Sequence, residues 1–103
     1  MANSFAGTVW ILDTVTTGSN KVSDGTMTIN WDVTYQQIAW VGFGNVGDSC
    51  DLQDGAGNSI FKHKVTATSE DQIITSLGNQ NQRAVGGLRL PTLDSGKIYI
   101  YLP

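Results

Sequence analysis

Apolar and polar residues alternate along most of this chain, in short runs separated by Gly, Asn and Asp. Lys97-Ile98-Tyr99-Ile100-Tyr101-Leu102 is the plainest case. Ile98, Ile100 and Leu102 fall on one side and Lys97, Tyr99 and Tyr101 on the other, the period-two pattern of a half-buried strand. Thr26 to Val33 repeats it, and predicts Met27, Ile29, Trp31 and Val33 facing a core with Thr26, Thr28, Asn30 and Asp32 facing water. Ser49–Gln53 predicts Cys50 and Leu52 inward. Ser59–Val65 predicts Phe61, His63 and Val65 opposite Lys62 and Lys64. Gln37–Phe43, Gln72–Leu77 and Val85–Leu90 are further strands, with Trp40 inward beside Ile38. Thr8–Leu12 is apolar on both faces, as for a strand buried on both sides or lying in an interface.

The junctions between these runs are turns. Asp24-Gly25 suits a tight hairpin, because such turns place residues at positive φ. Asp54 to Asn58 joins two strands into a hairpin, and Ser69-Glu70-Asp71 and Gly78 to Gln82 are polar connections. No segment holds an apolar pattern at helical spacing. The expected fold is therefore all-β: one domain spanning residues 1–103, an antiparallel β-sandwich of about eight strands, with a jelly roll as one form.

Composition narrows what such a domain does. Charged residues make up 15% of the 103 residues, with 12 Gly and only 2 Pro, against a usual charged fraction of about 25%. A surface poor in charge suits packing against neighbours, since interface centres are depleted in charged residues. The net charge is −3 and the six Lys and Arg are dispersed. This argues against binding nucleic acid or an anionic membrane, both of which need grouped cations. One cysteine, Cys50, allows no intrachain disulfide. No run is long and apolar enough for a membrane-spanning helix, and the N-terminal residues lack the charged-then-apolar order of a secretory signal.

Motifs that suggest chemistry fail on their surroundings. Gly42-Phe43-Gly44-Asn45-Val46-Gly47 has dinucleotide-fingerprint spacing, but that site needs a helix opening at the third Gly, and here a strand follows. Asp51 to Asn58 suggests a calcium loop. The positions preceding its Asp-Gly pair are Cys50 and Leu52, and Phe61 stands where the closing Glu belongs. A hairpin about Asp54–Asn58 puts Cys50 and His63 on paired strands and near each other, but a nucleophilic pair also needs hydrogen-bond contact and an orienting group. No catalytic residue, cofactor or metal site is assigned. Of the three tryptophans, Trp31 and Trp40 read as core. Trp10 is open between core, subunit interface and sugar contact. Tyr99 and Tyr101 stand opposite the core residues of their strand, and Tyr is enriched at binding hot spots. Trp10, Tyr99 and Tyr101 are the candidate partner-contacting residues, and Lys97 and Pro91 are the candidates for blunting exposed sheet edges.

Three stretches carry a resemblance. They are Gly47 to Phe61, containing Asp54-Gly55-Ala56-Gly57-Asn58-Ser59-Ile60-Phe61; Gly87-Leu88-Arg89-Leu90-Pro91-Thr92-Leu93; and Gly96-Lys97-Ile98-Tyr99-Ile100-Tyr101-Leu102. Together they resemble small all-β structural proteins of tailed bacteriophage virions, of the head-decoration, fibre or neck type. The resemblance implies a non-enzymatic virion component made in the host cytoplasm. Its implied partners are the major capsid protein, other virion proteins and further copies of the chain. It transfers no catalytic residue. The alternative expectation is a carbohydrate- or ligand-binding β-sandwich.

Overall fold

The computed structural model describes residues 3–5, 7–67, 72–76 and 81–103. Among these are nine strands: β1 (Val9–Leu12), β2 (Val33–Tyr35), β3 (Gln37–Val41), β4 (Ser49–Asp54), β5 (Ser59–Lys64), β6 (Gln72–Ser76), β7 (Gln82–Ala84), β8 (Leu88–Leu93) and β9 (Lys97–Tyr101). They form a four-stranded sheet in the order β1-β9-β3-β6, a three-stranded sheet β5-β4-β8 and a two-stranded ribbon β2-β7. Every pairing is antiparallel. The fold is all-β, and none of the three sheets closes into a barrel. The predicted polar stretch Ser69-Glu70-Asp71, Leu77 and the first part of the Gly78–Gln82 loop lie outside the described residues.

Alternation decides which side of each sheet is buried. In the four-stranded sheet Trp10, Ile100 and Ile38 lie side by side, and so do Leu12, Ile98, Trp40 and Ile73. All but the half-buried Ile73 are buried. Cys50 and Leu52 of β4, Phe61 of β5 and Leu88 and Leu90 of β8 join them in a single core cluster. Burial of such side chains contributes about 1.5–3 kcal/mol each. Trp40 also ties the sheet to the β8–β9 turn, because its Nε1–H donates to the Ser95 carbonyl at 2.8 Å. That turn closes tightly on β3. A Cβ on Gly96 (φ 75°) would lie 2.4 Å from the Val41 carbonyl oxygen.

Two expectations are corrected. Thr26 to Val33 is not one straight strand. Ser23 and Thr28 form an isolated bridge, the chain bends at Trp31, and the regular strand is only Val33–Tyr35. Ile29 and Val33 are buried as expected, but Met27 is 39% exposed and Trp31 44% exposed. Two backbone bonds from outside the run fix it: Ile29 N–H donates to the Val22 carbonyl and Leu88 N–H donates to the Ile29 carbonyl. Ile29 is thereby held inward while the bend carries the indole of Trp31 outward. The predicted Val85–Leu90 strand is also displaced. The chain pairs at Gln82–Ala84, turns at Val85-Gly86-Gly87 and pairs again from Leu88 to Leu93.

Sheet edges follow the same comparison. Pro91 is exposed on β8, an edge strand, where its missing N–H costs no ladder bond. Lys97 lies on the interior strand β9, where it pairs with Val41 of β3 beyond the last β1–β9 pair.

Candidate functional site

The face of the four-stranded sheet turned away from the core carries residues that core packing does not use. Ile11, Tyr99, Ala39 and Ile74 form one row across all four strands. Val9, Tyr101 and Gln37 form the next. Lys97, Val41 and Gln72 form a third. None of these residues belongs to the core cluster or packs against it. Ile74 is 46% exposed. Val9, Ile11, Val41, Tyr99 and Tyr101 are half-buried, and Ala39 is covered by its neighbours. Lys97 is the one charged residue among the described members of these rows. Tyr and Ile on a face with one charge form a surface from which water is readily displaced.

Of the three residues expected to meet a partner, the structure brings Tyr99 and Tyr101 together on this face. Trp10 points to the opposite side, is 8% exposed and packs its ring on Phe5 at 5.2 Å between centroids. Sequence alternation finds the two tyrosines. It does not find Ile11, Ala39 and Ile74 beside them, because that row exists only once β1, β9, β3 and β6 are placed in order.

The other constellations resolve into structural roles. Gly42 to Gly47 is the irregular connection between β3 and β4. Phe43 stacks on Trp40 at 4.6 Å, and Gly44 N–H donates to Ser95 Oγ at 2.9 Å. Ser95 Oγ in turn donates to Asp48 Oδ2 at 2.6 Å, which closes a clamp between two turns. In the β4–β5 turn, Asp54 Oδ1 accepts from Ala56 N–H at 2.9 Å and Asn58 N–H at 3.0 Å. Backbone donation, chiefly from Asn58, holds its carboxyl below the ordinary value. Among the described residues no group of three or more His, Cys, Asp or Glu is placed to hold a metal ion.

The Asp54–Asn58 hairpin forms, and Cys50 and His63 are direct cross-strand partners. His63 packs its ring against Phe61 at 4.4 Å. Cys50 is 1% exposed, and burial pushes the pKa of its thiol up to about 11. It therefore stays protonated at neutral pH, and the thiolate is the nucleophilic form.

Comparison with protein-family models, curated proteins and solved structures finds no match to this chain.

Proposed function

We propose that this protein is a non-enzymatic virion structural component, which binds the capsid lattice or further copies of itself through the outer face of β1-β9-β3-β6. The observation that carries the reading is that face: a continuous row Ile11-Tyr99-Ala39-Ile74, flanked by Val9, Tyr101 and Val41, with Lys97 as the single charge among its described members. The likeness of Gly47–Phe61, Gly87–Leu93 and Gly96–Leu102 to small phage structural proteins supplies the biological setting. In this reading the inner faces of the four-stranded and three-stranded sheets, which share one core cluster, pack as a β-sandwich of jelly-roll type.

The mechanism is binding by a rigid module. Tyr99 and Tyr101 act as anchors, since a large ring with two rotatable bonds buries much area at low entropic cost. Many copies on a lattice multiply weak single contacts into avidity. The test uses sedimentation and co-pelleting with capsids. The wild-type chain is expected to self-associate or to pellet with particles. Tyr101→Asp is expected to abolish both while leaving the strand content of its circular dichroism spectrum intact. A wild-type chain that stays monomeric at high concentration, is absent from virions and does not pellet with capsids overturns the proposal.

A further inference from the structure

A second surface lies on the other side of the molecule's chemistry, on the sheet β5-β4-β8. The chain has only six Lys and Arg, yet Lys62 and Lys64 alternate along β5 and are both exposed on the same side. Their cross-strand partners on β4 are Asp51 and Ser49, and Asp51 is also opposite Thr92 of β8. These residues border an open depression of about 400 Å³, within the usual size of ligand clefts, and Cys50 and His63, of the core-facing parity, complete its border from between them. The positions of opposite parity, Cys50, Leu52, Phe61 and Val65, are buried, so Ser49, Asp51, Lys62 and Lys64 lie on the face turned from the core.

Each lining group has spare capacity of a definite kind. The ion pair among the described residues is Arg83–Asp32, 3.8 Å apart. Lys62 and Lys64 thus have no carboxylate partner among those residues. Asp51 is held by neutral donors, Ser59 Oγ at 2.7 Å on Oδ1 and Gln53 Nε2 at 2.9 Å on Oδ2. Its charge stays available, and each carboxylate oxygen accepts more than one hydrogen bond. Ser49 Oγ donates to Asp94 Oδ2 at 3.2 Å, which leaves the hydroxyl oxygen as an acceptor. Thr92 offers a hydroxyl that both donates and accepts.

This set discriminates between ligands. A bare anion would satisfy the lysines and be repelled by Asp51. A neutral sugar would satisfy Asp51, Ser49 and Thr92 and leave the two ammonium groups unused. A ligand with a carboxylate and adjacent hydroxyls satisfies all of them. We propose that this depression binds an acidic sugar, with its carboxylate toward Lys62 and Lys64 and its hydroxyls toward Asp51, Ser49 and Thr92. The site is independent of the face proposed to meet the capsid.

The test is a proton–nitrogen correlation titration of the full chain with galacturonate, N-acetylneuraminate, galactose and inorganic phosphate. The two acids separate a uronic from a sialic source. Saturable shifts at millimolar acid, confined to residues 49–51, 62–64 and 92, are expected for at least one of them. Galactose and phosphate should bind at least about tenfold more weakly, a difference of ~1.4 kcal/mol. The Lys62→Gln/Lys64→Gln double variant should lose about tenfold for the acid while its spectrum keeps native dispersion, since both side chains are exposed. Asp51→Asn should weaken the acid and strengthen phosphate. These opposite signs are the decisive readout. Equal binding of phosphate and acid, strengthening of both by Asp51→Asn, or no shift with either acid at these concentrations overturns the proposal.

Discussion

Two tryptophans that alternation treats alike should respond oppositely to truncation. Trp40 is fully buried, stacked on Phe43 and hydrogen-bonded through Nε1 to Ser95. Trp31 is 44% exposed at a bend. Trp40→Ala removes the ring from the centre of the four-stranded sheet and leaves a cavity, a change that typically costs about 3–5 kcal/mol. Trp40→Phe keeps an aromatic ring but deletes the donor to the Ser95 carbonyl, at roughly 1–3 kcal/mol if that carbonyl stays dry. Trp31→Ala should cost under about 1 kcal/mol, as for a surface substitution. For a domain of this size a loss of ~4 kcal/mol lowers the melting temperature by roughly 16–32 °C. Urea unfolding followed by circular dichroism resolves all three variants, provided the m-value is unchanged. Acrylamide quenching adds a check without unfolding: Trp31→Phe should remove the strongly quenched part of the native fluorescence. If Trp31→Ala costs as much as Trp40→Ala, the bend at Trp31 is wrong and the indole belongs to the core.

Two further outcomes follow from local geometry. Gly87 has φ 114°, and a Cβ there would lie 2.3 Å from the Ile29 carbonyl oxygen, so Gly87→Ala should destabilise by more than about 1 kcal/mol; a neutral result in urea would place the Val85–Gly87 turn elsewhere. The Asp54 carboxyl is depressed in the folded state, chiefly by backbone donation from Asn58. Its contribution is therefore complete above the unfolded carboxyl value of about 3.9 and is lost as pH falls through the lower folded value. Asp54→Asn should flatten the acid limb of a stability-versus-pH curve, and an unchanged limb would refute the role of this turn.

Period-two alternation identified β1, β3, β4, β5, β6 and β9. In β4 and β9 it assigned the buried side, in β5 it found Phe61 buried but placed inward a His63 that is only half-buried, and it put Cys50 and His63 on paired strands through the Asp54–Asn58 turn. It failed at Thr26–Val33 because alternation is blind to bends. The bonds that hold Ile29 inward come from Val22 and Leu88, which are remote in pattern from that run. It missed β7 because Gln82-Arg83-Ala84 holds only one apolar residue. What pairs that segment is Val33–Tyr35 across the ribbon, together with the Arg83–Asp32 ion pair.

The two candidate surfaces differ in how far the linear pattern reaches them. Tyr99 and Tyr101 stand out on β9 alone, but a two-residue anchor becomes a face only because β9 is flanked by β1 and β3, with β6 beyond. That order joins the first and last strands of the chain, and such pairings of high sequence separation leave no local trace. The depression on β5-β4-β8 is nearer the reach of sequence. Once Cys50 and His63 are opposed, antiparallel register puts Asp51 beside Lys62 and Ser49 beside Lys64. Only Thr92, which arrives from β8, requires the third strand. In the proposed site Asp51, opposite Lys62, is the residue that would separate a general anion site from one that selects hydroxyl-bearing acids, because its carboxylate repels a ligand that brings charge without donors.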